Sequence, residues 1–122
     1  MEKNINTEKI NNLLIEETLI PNLPKGTFIF QEYLNDIPYI CVASPKVSLL
    51  AHESSKPAER LKLVCTKLLP YNNVFKEQYP IVCMACLANK FVKLKAEVYT
   101  LTNNTLLIYF YTSTEPSFYD IG

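Results

Sequence analysis

Six consecutive apolar residues near the C-terminus, Leu106-Leu107-Ile108-Tyr109-Phe110-Tyr111, constrain the fold more than any other stretch. β-Branched and aromatic residues favour extended backbone, and a strand sends successive side chains to opposite faces. A strand apolar at every position therefore needs cover on both sides: a core on one, and a second layer or another chain on the other. The preceding stretch, Leu94-Lys95-Ala96-Glu97-Val98, alternates apolar with charged residues, the pattern of a half-buried strand. Between them lies Thr102-Asn103-Asn104-Thr105, a tight turn in which asparagine tolerates positive φ. The chain thus ends in a β-hairpin followed by a polar tail over 113–122.

Upstream, Ile10, Leu13, Leu14 and Ile20, with Thr7 in a capping position, predict an N-terminal helix over 7–20 that Pro21 and Pro24 end. Lys25-Gly26 reads as a turn. Thr27 to Tyr33 and Ile37 to Ala43 read as strands joined at Asn35-Asp36, a candidate hairpin. Val47 to Ala51 reads as a short strand, and His52 to Lys56 as polar loop. Leu61, Val64, Cys65 and Leu68 form the stripe of a helix starting near Pro57, capped by Ser55 and stopped by Pro70. Asn73 to Tyr79 is a short polar segment. Pro80 opens a second predicted helix reaching about Val92, apolar almost all round and therefore central. The expected fold is one α/β domain over 1–122, α+β in layout. A small mixed sheet with flanking helices spans 27–112.

A chain of 122 residues buries roughly 65% of its unfolded surface, enough for a core without staples. Its 48% hydrophobic content excludes intrinsic disorder. Acidic and basic residues number 12 each, so no net field draws in nucleic acid or an anionic membrane. RNA, on this balance, is reached only indirectly, through a partner. The apolar runs fall short of a membrane span, and Met1 to Asn6 lacks the pattern of a secretory leader. Four cysteines then read as reduced thiols, and the expected location is intracellular, in nucleus or cytoplasm.

Residues able to do chemistry are few. Cys83-Met84-Ala85-Cys86 is a CxxC that Cys41 and Cys65 would extend to four thiolates, but its flanks are apolar and favour core packing. His52 has Glu53 and serines beside it in sequence, whereas a catalytic triad draws its members from separate elements. Glu16 and Glu17 share one helix and cannot face each other across a substrate. Lys90, Lys93 and Lys95, near Tyr99, read as a solvated rim with RNA contact as the rival. Gly122 alone says little for a ubiquitin-like modifier. No catalytic residue, metal site or cofactor is expected. The apolar strand is the candidate partner interface, through Leu106, Ile108, Tyr109, Phe110 and Tyr111.

The stretch Leu69-Pro70-x-Asn72, then Lys76-Glu77, then Cys86-Leu87 and Phe91, resembles the smallest accessory subunit of fungal tRNA-splicing endonuclease. The hairpin from Asn103 to Phe110 is similar to that family's terminal strand, with Asn103 and Asn104 where the family has an acidic turn. The likeness covers roughly residues 60 to 112. It implies an endonuclease-subunit-like α/β fold without an active site, which pairs with a catalytic subunit through its C-terminal strands. The expected function is thus a non-catalytic structural subunit of an RNA-processing complex, a heterodimer partner. The alternative is a free-standing homodimeric adaptor.

Overall fold

The computed structural model describes residues 23–71, 80–101 and 104–118. The helix expected over 7–20, the segment Asn73 to Tyr79, and Thr102 and Asn103 lie outside them. Five strands form one mixed sheet: β1 (Phe28–Leu34), β2 (Ile37–Ala43), β3 (Ile81–Leu87), β4 (Lys90–Thr100) and β5 (Leu106–Tyr111). Their spatial order is β1-β2-β5-β4-β3, with β2 and β5 parallel and the other pairs antiparallel. Helices α1 (Pro45–His52) and α2 (Pro57–Leu68) follow β2, and a 3-10 turn spans Leu69–Tyr71. The expected small α+β fold, with mixed sheet, flanking helices and C-terminal hairpin, is the observed one.

Local chemistry explains the hairpins. Asn35 and Asp36 both take positive φ between β1 and β2, as a two-residue hairpin loop requires. Ala88 (φ 53°) and Asn89 (φ 63°) do the same between β3 and β4. That second hairpin replaces the helix predicted from Pro80 to Val92. A short run apolar at every position fits either period, and here the cross-strand pairing wins: Ala85 faces Val92 and Cys83 faces Leu94. The short strand expected at Val47 to Ala51 is instead α1. Buried Ser44 caps it, its Oγ accepting from the Val47 amide at 3.2 Å, and Pro45 occupies the first turn. The helix expected from Pro57 is α2, with Leu61, Val64, Cys65 and Leu68 buried as its stripe; Lys56, not Ser55, precedes it, and no side chain caps it.

The sheet is covered on both faces over its centre. Helices α1 and α2 pack on one face, against Phe30, Tyr39, Cys41, Ala43, Ile108 and Phe110 among others. The opposite face carries Ile40, Val42, Leu107, Tyr109 and Tyr111, and the chain's own Phe118 and Leu23 lie against it. Phe118 rests with its ring centroid 5.0 Å from Tyr109 and 5.1 Å from Tyr99. The two-sided apolar strand is thus central, between β2 and β4.

Candidate interaction surface

The central position of β5 moves the expected interface. Ile108, Tyr109, Phe110 and Tyr111 are all buried inside their own chain, and both edges of their strand are already hydrogen-bonded. The second layer anticipated for this strand is the tail, which closes the face that a partner was expected to fill. Leu106 alone keeps some exposure. It lines an open hollow of about 80 Å³ with Leu34, Asn35, Ile37, Tyr39, Leu69 and Pro70. That hollow is apolar and brings no reactive group together.

The other candidates resolve by geometry. Cys83 and Cys86 lie three residues apart on a strand, so they point to opposite faces and cannot chelate one ion together. Cys83 turns toward the helices with Cys41 and Cys65. Burial pushes the Cys41 thiol well up, helped by its contact with Cys65, and raises Cys83 to about 11. Thiols so protonated are poor nucleophiles and poor ligands. Among the described residues no group of three or more His, Cys, Asp or Glu is arranged to hold a metal ion. His52 donates through Nδ1 to the Ser48 carbonyl at 2.8 Å, and its ring meets Phe28 edge-on at 4.7 Å. It closes the last turn of α1. The serine nearest to it, Ser48, has its Oγ 3.3 Å from that same Nδ1 and lies on the same helix.

Two carboxylates that the sequence reading passed over organise the tail. Glu97 sits on β4 with 5% of its surface exposed, although alternation had marked it as solvated. It accepts from the Tyr99 hydroxyl at 2.5 Å, the Tyr111 hydroxyl at 2.6 Å and the Phe118 amide at 3.1 Å. Three donors satisfy the buried charge and tie the tail to the sheet. Burial, with the Glu115 and Glu97 charges nearby, pushes the Tyr109 hydroxyl far above its usual range. Glu115 accepts from Ser44 Oγ at 2.5 Å, the Thr112 amide at 2.9 Å and the Lys46 amide at 3.1 Å. Partial burial pushes the Glu115 carboxyl up, but these bonds at the first turn of α1 outweigh it and hold it below its usual value. No alternation or motif signals either role, because each partner lies in a distant segment.

What remains open is the β3 side. Among the described residues β3 pairs only with β4, and none pairs along its other edge. Its seven residues, Ile-Val-Cys-Met-Ala-Cys-Leu, include no charge, no proline and no glycine. The opposite edge strand, β1, is blunted in the usual way, with Glu32 paired to Lys62 of α2 at 3.5 Å. On the sheet face that the tail covers further along, register places Val82 beside Lys95, Met84 beside Lys93 and Cys86 beside Phe91. Exposure there is large: 58% for Val82, 54% for Met84 and 76% for Phe91. Lys93 and Lys95 therefore share an apolar strip, whereas Lys90, opposite Leu87, belongs to the other face. Sequence reading missed this strip because it assigned the stretch to a helix.

Comparison with protein-family models, with curated proteins and with solved structures finds no match.

Proposed function

We propose that this chain is a non-catalytic interaction subunit that docks another protein along β3 and the adjoining face of β3 and β4. One observation carries the reading: an edge strand without charge, whose Val82 and Met84, with Phe91 on the neighbouring strand, are each more than half exposed. Such an edge invites strand pairing, and natural proteins leave one bare where a partner covers it. His52 Nδ1 donates to the Ser48 carbonyl and so is no base for the nearby Ser48 hydroxyl, and Cys41 and Cys83 are held protonated in the core, which favours a role without catalysis. The resemblance of residues 60 to 112 supplies the candidate complex, a tRNA-splicing endonuclease in nucleus or cytoplasm, whose catalytic subunits would contact the RNA. The docking element in this proposal is β3, in place of the C-terminal strand. Among the described residues no helix is long and apolar enough to cross a membrane.

The test is co-purification of the tagged chain with endonuclease subunits from its own cells, read by mass spectrometry. Met84→Asp and Phe91→Asp change exposed side chains, so both variants should keep the wild-type melting temperature and lose the partner. Recovery of undiminished complexes with both variants would remove β3 as the docking edge. Recovery of only a second copy of the chain, seen as a dimer by light scattering, would favour the homodimeric adaptor.

A further inference from the structure

We infer that the segment docked on β3 is an apolar strand with acidic residues, held by basic side chains that border the open edge on both faces. This inference rests on the proposed docking role and adds the chemistry of the partner. On the face left bare, Lys93 and Lys95 stand beside Met84 and Val82. The helical face supplies the other border. Lys62 reaches Glu32 on β1, which fixes the flank of α2 turned toward that end of the sheet. Helical periodicity puts Arg60, Leu63 and Lys67 on the opposite flank, the one turned toward β3, against which α2 packs. All three are exposed, Leu63 at 58%.

The described carboxylates lie elsewhere. Glu32 and Asp36 belong to the β1 hairpin, Glu53 closes α1, and Glu59 pairs with Lys62 at 3.6 Å. Glu97 and Glu115 are consumed by the tail. Among the described residues the β3 edge is thus bordered by basic side chains on both faces. None of Arg60, Lys67, Lys93 or Lys95 has a salt-bridge partner among the described residues. A strand added beside β3 would place alternate side chains about 5 Å from Val82 and Met84, within reach of the long lysine stems of β4. Glutamate or aspartate at those positions would meet Lys93 and Lys95, while the alternate, apolar side chains would turn to the helical face, beside Leu63, where Arg60 and Lys67 form the border. A second copy of the chain offers an uncharged β3 and its own lysines, which leaves every cation unanswered. A nucleic acid would find the lysines but has no use for an unpaired strand edge or for Val82 and Met84.

The experiment uses two eight-residue peptide probes, one alternating valine with glutamate and one alternating valine with lysine, titrated into the isotopically labelled full chain. The glutamate probe should shift the amides of β3 and the Phe91 to Lys95 part of β4, and its affinity should fall as salt rises. Reversing Lys93→Glu and Lys95→Glu together should weaken it on the order of ten-fold and admit the lysine probe. Equal binding of both probes at β3 would overturn the acidic chemistry while leaving the docking edge in place. Absence of binding by either probe, or preferential binding of an oligouridine probe at the same amides, would overturn the inference. Self-association of the chain alone, abolished by Met84→Asp, would overturn it too. The co-purification with Met84→Asp and Phe91→Asp decides the docking role independently of these outcomes.

Discussion

At the scale of single residues, Glu115 is the most informative. Its carboxylate collects Ser44, the Thr112 amide and the Lys46 amide at one point, so one side chain joins the tail to the start of α1. A carboxyl whose folded pKa is lowered contributes stability above its ordinary value of 4.5, and that contribution is lost as pH falls through the folded value. Glu115→Gln should therefore cost about 1 kcal/mol at pH 7, discounted for its partial exposure. The difference from wild type should shrink as pH falls below 4.5. Urea midpoints at pH 7 and pH 3 measure both; an equal loss at the two pH values would mean that the charge does not matter. Glu97 differs in kind. Enclosed by two tyrosine hydroxyls and a backbone amide, it shows how an outward-pointing position becomes buried when a later segment folds over it.

At the scale of elements, the β3–β4 hairpin turns on Ala88 and Asn89. Asparagine accepts positive φ readily, whereas alanine at φ 53° meets the steric penalty of the left-handed region. The strain is held by pairing on both sides and by the Ala88 amide, which donates to Ser54 Oγ at 3.1 Å. Ala88→Gly should relieve it and stabilise the fold by about 1 kcal/mol, despite the greater freedom glycine has when unfolded. A higher melting temperature checks this, and an unchanged or lower one would place the turn in another conformation. The edge strand that this turn creates carries the proposed docking role, so the hairpin is also where fold and function meet.

At the scale of the molecule, the sheet is a three-layer structure at its centre and a two-layer structure at its β3 end. The helices cover one face, while among the described residues the tail packs on the other over β2, β5 and part of β4. Phe118 is the anchor of that third layer, fully buried against Tyr99 and Tyr109. Phe118→Ala should cost about 3 kcal/mol, as for other buried aromatics, and lower the denaturation midpoint accordingly. A loss below about 1 kcal/mol would mean that the face closes without the tail. The asymmetry in cover leaves Val82, Met84 and Phe91 in solvent while chemically similar residues two strands away are dry.

Much of this architecture was legible in the amino-acid order. A run of six apolar residues required cover on both faces, and β5 has it. The Asn35-Asp36 turn, the stripe of α2 and the terminal hairpin followed from local spacing and backbone preference, which act between near neighbours. Three features did not. Alternation cannot distinguish a helix from a hairpin in Ile81 to Val92, where nearly every side chain is apolar; pairing with Leu94 and Ala96 decides it. It also cannot name what covers the second face, and the tail occupies the place that was assigned to a partner. Finally, the exposed strip exists because β3 falls at the end of the strand order, and strand order is set by the packing of the whole chain. Periodicity marks which side chains must be covered, but only the tertiary structure decides which element covers them and which edge is left bare.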